Sequence, residues 1–382
     1  MKKQKILLSM LMFIVFIGGF YSGVLFSNSS KKQEVANEIK QKRIETFEKE
    51  DLKLTEEYES DKVLIGYVQD FRDPGTIDYT NLTHIIFSFA HPTSDGQLLM
   101  NGETALNNLR KTVQIAHNQG SKAILAIGGW FHIHGGETYD YFKAAISNPV
   151  SRTKLINELV SMVDRENLDG IDIDFEHPRT NEDAQNLAVF TKELSDLLRP
   201  KGKELSIAVN AKVHSVVGTE IHHVKYEPTM FTNVDHINIM AYDGQWDGNY
   251  NAANLSPYTY NENIVNYWST LFDTYQISRE KLVLGVPFYA QPEDPKGKQI
   301  SYDTIINHNP ENATKDIVSI NGMTYHYNGE ATVQKKTKLA LEHGFGGMMM
   351  WEIGHDSEKD SLIAAISDAM EAGNQYTAKQ DQ

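Results

Sequence analysis

Cysteine is absent from the 382-residue chain, which excludes disulfides, thiolate metal sites and cysteine nucleophiles. It also removes the lipid-modified cysteine that a lipoprotein anchor requires, and by itself leaves the compartment open. Equally missing are a glycine-rich dinucleotide loop after the first strand-like run, a phosphate loop and a Ser-His-Asp elbow. Positive charge is in short supply: the net charge is −15, and residues 1–60 hold 10 Lys/Arg against 9 Asp/Glu, leaving 26 against 42 in residues 61–382. A domain this acidic repels phosphate backbones, so nucleic acid is not an expected partner. Neutral carbohydrate meets no such repulsion.

Lys2, Lys3 and Lys5 precede an uncharged apolar run from Ile6 to Phe26. At ~1.5 Å per residue such a helix would span ~31 Å, close to the hydrocarbon thickness of a bilayer. Lysines ahead of the run favour an N-in, C-out orientation. Two readings of residues 1–30 stay open: an uncleaved signal anchor, or a signal peptide cut near Ser27–Ser30. Either puts the rest of the chain outside the cytoplasm, on the cell surface or secreted. Residues 31–60 mix charges and contain no Pro or Gly, which suits a charged stalk or linker between membrane and catalytic domain.

From Asp61 onward, short apolar runs alternate with helical patterns. Strands are expected at 62–68, 83–90, 122–129, 170–176, 204–211, 235–242, 281–288 and 346–353, and helices at 103–119, 150–166, 183–199, 261–275 and 330–343. Nearly continuous apolar runs fit strands buried on both faces of a parallel sheet. Eight of them with helical crossovers predict an α/β fold, a single (β/α)8 TIM barrel over residues 61–370 followed by a polar tail, 371–382. A doubly wound open sheet is the alternative, weakened by the missing dinucleotide fingerprint. The second strand-to-strand connection is short, so one crossover should lack a proper helix.

Catalytic groups of such barrels sit at the C-terminal ends of the strands. The fourth run, Asp169-Gly-Ile-Asp172-Ile-Asp174-Phe-Glu176, places carboxylates where a buried strand should be apolar. With a side-chain period of two, Asp172, Asp174 and Glu176 share one face, the barrel interior, while Ile171, Ile173 and Phe175 face the helices. Desolvation and mutual repulsion must raise at least one pKa, which keeps a carboxylic acid protonated near neutrality. Glu176, outermost, is placed to protonate a leaving group. A metal site or a solvated edge are the competing readings, and the Ile/Phe face opposite argues against an edge.

The run DGIDIDFE resembles the D-G-x-D-x-D-x-E signature of family 18 glycoside hydrolases, the chitinases and related endo-β-N-acetylglucosaminidases. The resemblance extends to Tyr67, to the run ending at Ala90, to Gly128-Gly129, to Met240-Ala-Tyr242-Asp243 and to Trp351. It implies a retaining, substrate-assisted mechanism in which the substrate's own acetamido group is the nucleophile. Glu176 would be general acid and base, Asp174 would hold the acetamido N–H, Asp172 would share a proton with Asp174, and Tyr242 would donate to the acetamido oxygen. Asp243 would bind the sugar, Met240 would line the pocket, and Trp351 would floor it. Tyr67, Phe89, Gly129, Trp130 and Tyr289 are further substrate-binding candidates, although aromatics at strand ends are often packing. No cofactor and no metal are called for. His132, His134, His222 and His223 lack carboxylates at chelating spacing and read as solvated loop, and His177-Pro178 as a turn leaving the strand.

The resemblance has departures. The family's third strand commonly ends Ser-x-Gly-Gly, where this chain has Ala126-Ile-Gly128-Gly129, removing a hydroxyl expected to bond the inner aspartate. Residues 291–345 are too few for a full copy of the small α+β domain that deepens the cleft of many processive bacterial chitinases, so a shallower cleft and endo-type action are expected; the chain is also expected to be a monomer. The partner is an N-acetylglucosamine-containing oligo- or polysaccharide: chitin, the chitobiose core of N-glycans, or peptidoglycan. A catalytically weak, lectin-like chitin-binding protein is the reading from another class.

Overall fold

The computed structural model describes residues 62–380. The candidate membrane segment 1–30 and the stalk 31–60 lie outside the described residues. Among those described, no helix is long and apolar enough to cross a membrane.

Eight parallel strands form a closed barrel: β1 (Val63–Gln69), β2 (His84–Pro92), β4 (Lys122–Gly128), β5 (Gly170–Asp174), β6 (Glu204–Asn210), β7 (His236–Met240), β8 (Leu282–Pro287) and β13 (Gly347–Trp351). They pair in that order, and β13 closes the ring against β1. A two-residue strand, β3 (Leu98–Leu99), extends the rim of β2 as a hairpin. The outer layer holds α1 (Gly102–Asn118), α2 (Thr138–Ser147), α3 (Pro149–Arg165), α4 (Asn181–Leu198), α5 (Tyr258–Tyr275), α7 (Glu330–Glu342) and α8 (Leu362–Gln380). The last of these continues as helix through residues 371–380, assigned above to a polar tail.

Apolar side chains sort onto two faces because successive strand residues point opposite ways. Val63, Ile65 and Tyr67 of β1 pack inside the barrel with Ile86, Ala126, Val283 and Met349. Leu64 and Val68 join the larger core between strands and helices, where Trp268 of α5 is wholly buried. All eight expected strands and five expected helices are present, with boundaries moved by a few residues. The expectation about crossovers needs correction. The second, between β2 and β4, carries α1; the ones without an α-helix are β1–β2 and β6–β7, which hold only the 3-10 turns Pro74–Thr76 and Pro228–Asn233.

The insertion between β8 and β13 is a second correction. Strands β9 (Tyr289–Pro292), β10 (Ile300–Ser301), β11 (Ile317–Ile320) and β12 (Met323–His326) form an antiparallel sheet, ordered β10-β9-β12-β11, beside the short helix α6 (Tyr302–His308). A small α+β unit therefore does fit. Its strands are two to four residues long, and β11 turns into β12 through Asn321-Gly322, both at positive φ, the pair that a tight two-residue hairpin favours. The premise for a shallow cleft falls with it.

Strand β5 stops at Asp174, two residues before the expected end, for a reason that lies on the neighbouring strand. The adjacent β4 ends in Gly128 and Gly129, both at positive φ, and Gly129 N–H donates to the Asp174 carbonyl at 3.1 Å. The chain then leaves the barrel through Phe175–Arg179 and enters α4 by a capping box. Thr180 Oγ1 accepts from Asp183 N–H at 3.0 Å, and Asp183 Oδ2 accepts from Thr180 N–H at 2.9 Å. Glu176 rides on this short, doubly anchored segment.

A Cβ on Gly128 would sit 2.1 Å from the Asp174 carbonyl oxygen, and its φ of +124° is strained for any side chain. Gly128→Ala should therefore lower Tm by roughly 5 °C or more, as several kcal/mol of backbone clash demand; a melting curve superimposable on wild type would contradict this close approach.

Candidate active site

Burial is complete where the fourth strand turns its carboxylates inward. Asp172 is 0% exposed, yet both oxygens accept hydrogen bonds: Oδ2 from Tyr67 OH at 2.7 Å, Oδ1 from Ser206 Oγ at 2.6 Å and from Asn238 Nδ2 at 3.1 Å. Asn238 Nδ2 also reaches Tyr67 OH at 3.1 Å, closing the network. Desolvation still prevails over these donors and pushes the Asp172 pKa up to about 6. Ala126 offers no hydroxyl, and the serine donor comes from the opposite side. Asp172 is flanked in register by Ala126 on β4 and by Ser206 on β6, so the donor comes from the other neighbouring strand.

Asp174, one pleat higher, is buried with no partner for Oδ1 among the described residues. Burial, then the charges of Glu176 and Asp172, hold its pKa well above the carboxylate range. Glu176 stands at the rim with its backbone carbonyl accepting from Tyr226 OH at 3.2 Å. Burial first, then Asp243 and Glu137, push its pKa to about 8, so it carries its proton at neutrality. His177 Nδ1 lies 3.4 Å from Glu176 Oε2, but burial lowers the imidazole pKa to about 4. It is a neutral neighbour, packed edge-on against Trp130 at 5.1 Å.

These groups open into a cleft of about 450 Å³ at the C-terminal end of the barrel. Of the residues expected from the sequence, Asp174, Glu176, Tyr242, Asp243, Met240, Trp351, Tyr67, Phe89 and Trp130 line it. Trp351 stacks on Phe89 (5.8 Å, 24°) and tilts against Tyr67 (5.6 Å), giving an apolar floor. Gly129 leaves room for this stack, since a Cβ there would meet the Phe89 ring at 2.7 Å. Tyr242 OH has only a 4.0 Å contact with Met349 Sδ. Burial, then Asp243, keep its pKa well above 10, leaving a neutral hydroxyl donor. Three expected residues do not line the cleft. Asp172 lies beneath it, Gly129 backs Phe89, and Tyr289 is buried and donates its hydroxyl to Asp243 Oδ1, which also accepts from Gln245 Nε2 at 3.0 Å.

The wall also contains Gln69, Asp70, His91, Asn101, Phe131 and His132, which the sequence reading did not select. The solvated-loop expectation holds for His134, His222 and His223, all exposed, and not for His132. That ring is buried, stacks on Tyr141 at 3.7 Å and has Nε2 3.1 Å from the Pro92 carbonyl. Ser206 and Asn238 were missed too, although a signal existed: each is a polar residue at an inward position of an otherwise apolar run.

Comparison with known proteins gives the chain a family and relatives of the same fold. The family model described as Glycosyl hydrolases family 18 matches residues 63–356. A curated relative, probable chitinase 10 of Drosophila melanogaster, is 26% identical over 75% of this chain, which spans only 14% of that protein's length. A chitinase from Bacteroides thetaiotaomicron superposes with TM-score 0.66 at 26% identity, covering 81% of this chain and 96% of the other. The chitinase ChiB of Flavobacterium johnsoniae superposes at 0.67 with 25% identity, covering 81% and 94%.

Because the Ser206 hydroxyl stabilises ionised Asp172, Ser206→Ala should cost about 1–3 kcal/mol above neutrality and much less near pH 4. Asp172 has a folded pKa of about 6 against an unfolded value of about 3.9. The proton-linked stability is thus full below about pH 4, is lost as pH rises through about 6, and the variant extends that loss upward. Thermal midpoints at the two pH values check this; an equal deficit at both would detach Ser206 from the carboxylate's charge.

Proposed function

This chain belongs to glycosyl hydrolases family 18, and we propose that it hydrolyses β-1,4 linkages of N-acetylglucosamine polymers, chitin and chito-oligosaccharides, by a retaining, substrate-assisted route. The observation that carries the proposal is Glu176, protonated at neutrality beside the unpartnered Asp174 carboxylate, over a cleft floored by Trp351. Glu176 protonates the glycosidic oxygen while the substrate's acetamido oxygen attacks the anomeric carbon, breaking the glycosidic bond and forming a cyclic oxazolinium ion. Asp174, ionised as its proton passes to Asp172 beneath it, accepts the acetamido N–H and offsets the positive charge, the two aspartates acting as a proton-sharing pair. Tyr242 donates to the acetamido oxygen and holds it in line. Water then opens the ring as Glu176, now a base, takes its proton. Asp243, steadied by Tyr289 and Gln245, and Met240 hold the sugar in place. Phe89 and Trp130 add apolar faces at the cleft wall.

The substrate chemistry is set by the acetamido group, which the N-glycan chitobiose core and peptidoglycan share with chitin. The relatives named chitinases favour chitin. Turnover of 4-methylumbelliferyl chitobioside and chitotrioside, beside RNase B, by wild type and Glu176→Gln tests the assignment. Chito-oligosaccharide release should fall at least ~10²-fold in the variant, and the de-N-acetylated chitobioside should resist both. Wild-type turnover should fall as pH passes about 8, where Glu176 loses its proton. Deglycosylation of RNase B alone would move the substrate to N-glycans, and sugar binding with equal inertness in both proteins would replace the enzyme by a lectin.

We infer further that residues 1–30 anchor the chain, 31–60 act as a stalk and 61–370 work outside the cytoplasm. The support is Lys2, Lys3 and Lys5 ahead of the Ile6–Phe26 run. Fractionation of expressing cells should find the full-length chain in membranes, with its catalytic domain open to external protease; a shortened chain in the medium would favour the cleaved signal peptide.

A further inference from the structure

The opposite end of the barrel carries a second cluster of titratable groups that the proposed reaction does not use. Glu204 and His236 begin β6 and β7, and His84 begins β2. In each strand the residue two positions on is also inward-facing: Ile86, Ser206 and Asn238. The three side chains therefore converge beneath the layer that holds Asp172. His84 Nε2 lies 2.9 Å from Glu204 Oε2, His236 Nε2 lies 4.0 Å from the same oxygen, and all three ligand atoms fall within 4.8 Å of one another. The His84 and His236 rings pack edge to face at 5.1 Å.

A tetrahedral ion held at ~2.0–2.2 Å by two imidazoles and a carboxylate separates its ligand atoms by roughly 3.4 Å. The observed 2.9 and 4.0 Å bracket that value, and the two imidazole nitrogens lie within 4.8 Å of each other, so side-chain rotations that move the ligand atoms by about half an ångström to about one ångström complete the geometry. Two further features suit ligation. His84 is buried with its other nitrogen fixed 2.8 Å from Thr83 Oγ1, the outer contact that orients a ligating imidazole. The His236 side chain makes no hydrogen bond among the described residues, so its Nε2 can ligate without breaking one, although its buried Nδ1 lacks such an outer contact. We propose that His84, Glu204 and His236 form a binding site for one divalent transition-metal ion of the zinc type, with solvent from the open barrel end as fourth ligand. Its position on the face away from the cleft makes it a structural brace for β2, β6 and β7 rather than a participant in hydrolysis.

Lys122 is the competitor, its ammonium paired with Glu204 Oε1. It is about half exposed and free to swing away, and it provides the discriminating variant. The full-length chain, stripped with chelator, is titrated with Co²⁺ while the visible bands of tetrahedral cobalt are followed. Wild type should bind one equivalent, His236→Asn and Glu204→Gln should lose the bands, and Lys122→Ala should bind severalfold more tightly. Zinc in hundredfold excess over its Kd should raise wild-type Tm by roughly 5 °C and leave Tm of His236→Asn unchanged. Absence of a saturable tetrahedral spectrum in both wild type and Lys122→Ala would reduce the cluster to a hydrogen-bonded plug. Bands surviving in His236→Asn would place the ion elsewhere, at His91, His132 and His134 for instance, and overturn the proposal as well.

Discussion

Desolvation of carboxylates inside a closed barrel is the constraint on which the remaining architecture of this domain turns. For Asp172, Asp174, Glu176 and Asp243 alike, burial is the largest influence on the pKa, and in each case it raises it. For Asp172 the rise from 3.8 to about 6 corresponds to about 3 kcal/mol by the usual conversion, and it persists despite three hydrogen-bond donors. A barrel interior tolerates such a cost only if each carboxylate is treated differently, and the structure grades them by depth. Asp172, deepest, receives every donor in reach. Asp174 receives none at Oδ1. Glu176 stands at the rim, where repulsion from Asp243 and Glu137 adds to burial. The outcome is a column of carboxyl groups in three different environments, the condition under which neighbouring carboxyl groups take different chemical roles.

The donors that make this gradient possible are spread around the barrel, which ties the site to the fold. Tyr67 comes from β1, Ser206 from β6 and Asn238 from β7. Each approaches Asp172 from the interior because each occupies an inward position on its strand. With Ala126 offering no hydroxyl on β4, the serine donor to Asp172 comes from Ser206 on β6, the other strand in register with it. Likewise, the apolar floor works as a stack of three rings, Tyr67, Trp351 and Phe89, with Gly129 yielding its side-chain volume to the last. Tyr67 thus serves both halves of the site, its hydroxyl fixing the acid column and its ring supporting the floor.

What was legible in the sequence follows from which interactions are local. The run Gly170–Glu176 declares its inward face by alternation within one strand, so the carboxylate column and its orientation could be read directly. The apolar runs of the barrel strands could be read for the same reason. Partners of Asp172 are separated from it by 34 to 105 residues, and nothing in a single sequence marks such contacts beyond a polar residue in an apolar run. Tyr67, a substrate-binding candidate, does line the cleft, but its hydroxyl bond to Asp172 could not be read, because an aromatic at a strand end does not reveal whether its ring or its hydroxyl does the binding. The insertion after β8 was misjudged because strands of two to four residues carry too little alternation to register, and the Asn321-Gly322 turn was the signal available. Glu176 lies past the end of β5 because the glycine pair on the adjacent strand ends the ladder, a tertiary effect invisible in β5 itself.

The groups left without protein partners define what the cleft is suited to receive. A buried carboxylate oxygen with no donor, as on Asp174, is costly in the free protein and becomes less so when a ligand supplies an N–H. Tyr242 presents the converse, a neutral hydroxyl donor whose nearest protein acceptor is a thioether sulfur at 4.0 Å. A secondary amide offers one N–H and one C=O and can answer both. A hydroxyl at the same sugar position could donate to Asp174 or accept from Tyr242, but it has no second polar atom to span the two. Under the proposed mechanism the amide oxygen so held is also the nucleophile, so the contacts that select the acetamido group and those that align it for attack are the same. Specificity for N-acetylated sugar and rate then rise or fall together, and a substitution at Tyr242 or Asp174 has no means of relaxing one while preserving the other.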